Sequence, residues 1–518
     1  MTINSLKPKI KGPYLIGIDI GTFSSKGVII NINGDILAEQ YVDHGVNIIR
    51  PGWAEQDPEK CYWKDFKFII KSLIKKSKIE PGEIVGIGIS SLSPVLIPVN
   101  RKGVAIRPAI IYMDRRALNE SLVLKEKIGE ENIVKITGNA ADPYFAGYKL
   151  LWLMHNEPKT YEQAWKILNA DKYLIFKLTG RTVIDNATAV LYAPFYDVNQ
   201  GKWSSEIADL TNVNLDIFPG EIVDSSVVVG EVSRNASRDT GLFAGTKIIA
   251  GGPDAIVSSF SAGMVDEGES AFMYGTTGCW FLVNDKPIIE PHGRLVFCPH
   301  VVPRKYLLCG IMISTGALVR WFVDNFVKTS RMDNKSKILE KLDREAGSIN
   351  PGSDGLIVLP FFMGERTPIW DVNAKGIIFG LTLKHGWKHV YRAILEAPGY
   401  GLRKHIEIAR SMGCEARAIF AVDGGAKSRT WRQIITDITG IPQIYSKRHL
   451  GAPFGDAFLA GIGVKIFKSY ECIKNFLGET ETTSPNPSNY DLYGKYYRLY
   501  LELYEKTRET MRAISGTK

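Results

Sequence analysis

Asp19 stands two positions before Gly21 in "YLIGIDIGTFSSKGVIIN" (14–31), where two apolar runs flank a small polar tip. Backbone amides at a Gly-containing turn, with the hydroxyls of Thr22, Ser24 and Ser25, make a concave donor cluster suited to phosphate oxygens. A carboxylate beside such a cluster can hold Mg²⁺ through water, since that ion dehydrates reluctantly and takes few carboxylates. Lys26 adds a positive charge. The spacing is neither that of a P-loop nor the G-x-G-x-x-G of a dinucleotide fold. A plain β-hairpin whose turn selected Gly and Ser for conformation accounts for the same residues.

A second Gly-Thr tip, "MYGTTGCWF" (273–281), tilts the reading toward phosphate, because two hairpins from two halves of a chain can clamp one polyphosphate. Gly275, Thr276 and Thr277 would form that second jaw. The turn "DGGAK" (423–427), alone, is a tight strand-to-helix connection; beside the other two tips it becomes a platform for adenine or ribose. Asp254, in "GGPDA", has two readings. It suits an N-cap, and it suits a general base taking the proton of a substrate hydroxyl that attacks a γ-phosphate. The residues themselves leave both open.

These residues need elements to hold them. β-Branched runs alternate with helical patterns along the chain, which predicts an α/β architecture. Strands are expected at 14–20, 26–32, 35–42, 84–91 and 93–100, with helices over 58–77, 114–128 and from Lys149 to about Asn156. "IIAGGPDAIVSSFSAGMV" reads as strand, turn and helix, and "ESAFMYGTTGCWFLVN" (269–284) then repeats the opening architecture. The echo predicts a duplicated two-domain protein, with domains at 1–265 and 266–518. In the second half, 306–326 and 418–440 each read as a strand leading into a helix. The Gly/Ala-rich helix of 451–467 must pack closely on something. Residues 478–489 read as an exposed loop before a C-terminal helix at 490–513, and Pro398 should bend its helix.

With 518 residues the chain exceeds the ~250–300 at which single cores stop growing, which also favours two domains. The excess of 64 Lys+Arg over 55 Asp+Glu is modest and scattered, without the aromatic interleaving of a nucleic-acid surface. None of the six cysteines forms a C-x-x-C, and most sit in apolar contexts, as reduced thiols of a cytoplasmic protein would. The N-terminus is too polar for a signal peptide, and the apolar run at 355–364 is too short to cross a membrane. His385 and His389 are spaced i, i+4 but no acid accompanies them, so metal ligation is not expected there.

In this order the elements resemble the FGGY family of carbohydrate kinases over about residues 14–465. "GIDIGTFSSKGVI" is similar to the family's first phosphate motif, "MYGTTGCW" to the second, and "GGPDAIVSSFSAG" to the segment with the catalytic aspartate. "VDGGAKSRTWRQIITDITGIP" resembles the adenosine motif, "STGALVRWFVDN" a nucleotide-side helix start, and "RPGWAEQDPE" and "GERTPIWD" are also typical. The resemblance implies a two-domain actin-like (ribonuclease H-like) fold with Mg-ATP between the domains. It implies Asp254 as general base and Asp19 on the metal. ATP would be bound by Gly21, Thr22, Ser24, Lys26, Gly275, Thr276, Thr277, Gly316, Gly424, Gly425, Ala426 and Arg429. The acceptor would lie against Ser93, Tyr112, Asp114, Tyr144 and Asp254.

The acceptor segments are mixed. "DPYFAGYKLLWL" (142–153) resembles the glycerol kinase version, whereas "MDRRA" (113–117) is closer to pentulose kinases. Where glycerol kinases carry Arg-Glu and xylulose kinases Met-His, this chain has Ser93-Pro94. Loss of the Arg-Glu pair removes hydrogen bonds to a triol. The resemblance therefore implies phosphorylation of a small sugar, a ketopentose such as xylulose, with glycerol, another polyol or gluconate as alternatives. A non-catalytic sugar- and nucleotide-binding actin-like protein is the competing class. No nucleic-acid or membrane partner is expected, and a homodimer is left open.

Overall fold

A computed structural model describes residues 12–327, 335–448 and 450–516. β1 (Tyr14–Ile20) and β2 (Ser24–Asn31) form a hairpin, and β3 (Ile36–Asp43) continues it antiparallel. After α1 (Lys64–Ser77), β4 (Ile84–Ser91) returns parallel to β1, and β5 (Lys247–Ile249) lies parallel to β4. α2 (Asp254–Ser261) leads to a second sheet. There β6 (Glu269–Tyr274) and β7 (Gly278–Asn284) form the hairpin and β8 (Tyr306–Met312) continues it, followed by α3 (Gly316–Phe326). α4 (Trp387–Ser411) precedes β9 (Ala418–Val422), which is parallel to β6. The chain ends with α5 (Arg429–Thr439), β10 (Gln443–Ser446), α6 (Gly451–Gly463), β11 (Thr480–Thr483) and α7 (Pro487–Gly516). The echo in the sequence is thus a repeated topology: hairpin, third antiparallel strand, then a parallel strand returning beside the first.

All seven residues of β1 are buried, the pattern of a strand covered on both faces. Ile16, Ile18 and Ile20 pack in one core with Phe66, Ile69, Ile70 and Leu73 of α1. Alternation puts Leu15, Gly17 and Asp19 on the other face, where α6 lies. A Cβ on Gly17 would stand 1.7 Å from the Pro453 carbonyl oxygen, and one on Gly88 2.2 Å from that of Asp456. The Gly/Ala-rich helix of the second half therefore packs on the first sheet, with backbone against backbone. α6 also lies against α2, which touches strands of both sheets.

Two local expectations differ from the structure. In 93–100 only Ile97–Val99 is strand, because Pro94 has no N–H and the amide of Val95 turns to Asn169 Oδ1 at 2.7 Å. The 478–489 segment is not all loop: its β-branched threonines form β11, which pairs antiparallel with β10 at the sheet edge. α4 runs as one helix through Pro398, which is buried within it. All six cysteines are free.

Candidate active site

The hairpin register sets Asp19 opposite Lys26, so the Gly21–Ser24 turn projects past the sheet end. The amide of Gly21 donates to Ser24 O at 2.9 Å. His44 Nε2 contacts Gly21 O at 3.0 Å and Gln56 Nε2 donates to Thr22 O at 2.8 Å, which ties two carbonyls of the tip to the body behind it. A cavity of about 930 Å³ opens beside this tip. Its lining includes Asp19, Gly21, Thr22, Ser24 and Lys26 from the hairpin, Asp254 and Ser258 from α2, and Asp423, Gly424 and Lys427 from the turn after β9.

Three carboxylates from three segments act on one another here. Burial, then the charges of Asp254 and Asp423, push Asp19 up to about 8 against the pull of Lys26. Burial pushes Asp254 up to about 6; Asp423 adds to this, while the amide of Ala255 and Lys26 oppose it. Desolvation raises Asp423 as well, again against Lys26. Asp254 is the first residue of α2 and does not cap it: Oδ1 accepts only the adjacent Ala255 amide, at 2.7 Å. The capping reading left open by the sequence is not the arrangement found.

Asp423 is a site residue that the sequence reading passed over. It adopts φ 72°, a left-handed conformation uncommon for a residue with a side chain. The available signal was an acid at a strand end just before a Gly-Gly turn, much as Asp19 precedes Gly21.

Asp19 Oδ1 is buried and has no hydrogen-bond partner, which fits an oxygen kept for a hard cation or its water shell. Among the described residues no group of three His, Cys, Asp or Glu side chains could hold a metal alone. A Mg²⁺ at Asp19 would draw its remaining ligands from water and phosphate, as that ion commonly does.

The second hairpin contributes Met273 to the lining of this cavity, but its Gly275–Thr277 tip stands outside it. Its carbonyls receive the start of α3: the Gly316 amide donates to Gly275 O at 2.8 Å and the Ala317 amide to Thr276 O at 3.1 Å. A Cβ on Gly316 would lie 2.6 Å from Gly275 O, so glycine there permits the contact. Gly425 presses on Tyr274 O in the same way, at 2.8 Å. The Gly275–Thr277 tip, Gly316 and the Gly424–Ala426 turn thus form one packed body, of which only Gly424 lines the cavity. Arg429 is turned away, largely exposed and paired with Glu481 of β11.

Tyr112 links hairpin and acceptor segments, since Thr22 Oγ1 donates to its hydroxyl at 3.4 Å. Its ring meets that of Tyr144 edge-on at 6.3 Å. Tyr144 donates its hydroxyl to Ser93 O at 2.9 Å, and Ser93 Oγ accepts from Asn169 at 2.9 Å. Asp114 is fully buried, its oxygens committed to the Ala54 amide at 2.6 Å and to Arg116 at 2.7–2.9 Å. The structure does not bring Asp114 to the cavity. Arg366, which no sequence argument singled out, lies over the Tyr144 ring at 4.4 Å.

Comparison with known proteins agrees with this geometry. Residues 14–261 match the N-terminal domain and 270–464 the C-terminal domain of the FGGY family of carbohydrate kinases. The xylulose kinase of Bacillus subtilis (strain 168) is 28% identical over 506 residues, covering 97% of this chain and 99% of the relative. The ligand-bound xylulose kinase structure from Lactobacillus acidophilus superposes with TM-score 0.89 at 27% identity, covering 97% and 99% of the two chains. The gluconate kinase structure from the same organism gives TM-score 0.88 at 27% identity, covering 95% and 98%. Two hairpins of matching topology, a carboxylate cluster between two sheets and both family domains in order make this chain a member of the FGGY family of carbohydrate kinases.

Proposed function

We propose that this sugar kinase transfers the γ-phosphate of ATP to a hydroxyl of a ketopentose such as xylulose, with Asp254 as general base. The observation that carries this reading is Asp254, which shares one cavity with the Thr22–Ser24 tip while one of its oxygens makes no hydrogen bond among the described residues. That oxygen accepts the proton of the acceptor hydroxyl as it attacks. A pKa raised to about 6 keeps the carboxylate ionised near neutral pH yet more basic than a free one. Thr22 and Ser24 hold the γ-phosphate oxygens, and Lys26 offsets negative charge shared among three acids. Asp19 would hold Mg²⁺, and the metal when bound would neutralise phosphate charge. α6 packs against α2 between the two halves, and closure of the halves on bound substrates would restrict water as a competing acceptor.

The likeness to xylulose kinases favours a ketopentose, and the gluconate kinase structure supports an aldonate as second reading. Xylulose, ribulose, gluconate, erythritol and glycerol, each assayed with Mg-ATP for ADP release, discriminate the readings. Sugar-dependent release with xylulose or ribulose is expected; none with any acceptor would remove the kinase reading for these compounds. Asp254→Asn should lower kcat at least about 100-fold, the lower range for a general base, while nucleotide affinity stays within about threefold. Wild-type-like turnover in that variant would reassign the base.

A further inference from the structure

Arg366 is 8% exposed, yet its guanidinium makes no hydrogen bond or ion pair among the described residues, and its Nε is buried without a partner. A buried, unpaired cation is costly unless something supplies acceptor oxygens. The neighbouring carboxylate does not: Glu365 Oε1 accepts the amides of Ile313 and Arg366 itself, both at 2.8 Å. Those bonds fix the arginine in place. Thr367 adds two more to the end of β8, accepting from the Ile311 amide at 2.5 Å and donating to Ile311 O at 3.1 Å. The side chain is thus held by a rigid strand end of the second half while its head lies on Tyr144 of the first.

The head also has a direction. Thr22, Tyr112, Tyr144 and Arg366 form a chain of contacts leading away from the phosphate tip. Arg366, Asp254 and Cys279 each act electrostatically on both tyrosines. A hydroxyl at Asp254 would leave the rest of a small acceptor reaching toward the guanidinium. Its planar fork of five donors suits paired oxygens, whether the carbonyl and hydroxyl of a ketose or the carboxylate of an aldonate.

We propose that Arg366 is the specificity-determining residue which the second half contributes to the acceptor site, hydrogen-bonding the acceptor's oxygens at the end away from Thr22. The inference rests on the kinase reading above and adds a residue to it. Acceptor recognition then depends on both halves, because Tyr144 belongs to the first and Arg366 to the second.

Arg366→Ala and Arg366→Lys test this in the full-length enzyme, with a ketopentose and an aldonate as separate arms. The alanine variant should raise the acceptor KM at least about tenfold in whichever arm the wild type turns over, as loss of a charge-assisted hydrogen bond would. The affinity for an ATP analogue and the melting temperature should stay near wild type. Methylguanidinium added to the alanine variant should recover part of the acceptor affinity, and the lysine variant should fall between. An unchanged acceptor KM in a folded Arg366→Ala overturns the proposal. So does a loss confined to nucleotide affinity, which would put the guanidinium on phosphate. If the wild-type enzyme turns over neither acceptor, the ketopentose and aldonate readings fall first and this inference with them.

Discussion

Asp19, Asp254 and Asp423 reach one cavity from β1, α2 and the turn after β9, and Lys26 acts on all three. Each acid raises the proton affinity of its neighbours, because like charges at short range disfavour the ionised forms. Asp254 must be ionised to accept a proton, so activity should be lost as pH falls through about 6. Asp423→Asn removes a negative charge beside Asp254, eases its ionisation and should move the acid limb of kcat/KM to lower pH. Lys26→Met removes the opposing charge and should move the limb upward. Profiles that coincide with wild type in both variants would separate the limb from Asp254.

At the scale of elements, the contact of α6 with β1 and β4 carries most of the consequence. Gly17 and Gly88 lie where the helix backbone touches the strands, at distances that leave no room for a methyl group. Gly17→Ala or Gly88→Ala must push the helix off the sheet that carries Asp19. Each should cost at least about 2 kcal/mol, in the range for overpacking a filled core. Urea unfolding measures this, and a wild-type midpoint would mean the contact is looser than the geometry here. The same substitution at Gly413, with nothing within 4 Å of the added carbon, tests backbone strain alone, since φ there is 80°.

For the whole molecule, the two family domains are not two separable bodies. The residues matched to the C-terminal domain, 270–464, include α6, which covers the first sheet. One core cluster joins Leu15, Val28 and Ile30 of the first sheet to Phe454, Phe458 and Leu459 of α6. A fragment of residues 12–265 would leave that face of β1 and β4 open to water. It should aggregate or melt without a cooperative transition, and co-expression with 266–518 should restore a soluble complex. A 12–265 fragment with a sharp, reversible melt would contradict this reading of the interface.

Much of the site could be read from the sequence because strand–turn–strand chemistry is local. The spacing of Asp19, Gly21, Thr22, Ser24 and Lys26 sets both the register and the side on which the acid falls, and the echo at 269–284 gave the second topology. The Gly/Ala content of 451–463 announced a close contact, though not its partner. What the chain does across long separations could not be read in this way. Asp423 meets Asp19 and Asp254, and Arg366 meets Tyr144, over separations of more than 150 residues. Asp114 has a suitable type and a suitable motif, but Arg116 and the Ala54 amide claim its oxygens inside the core. Sequence alone determined the two hairpins and the acid beside the first tip, because turn geometry and strand alternation follow from neighbouring residues. Tertiary structure alone decided which charges share the cavity and which carboxylates remain free, because burial and pairing depend on the segments that fold against them.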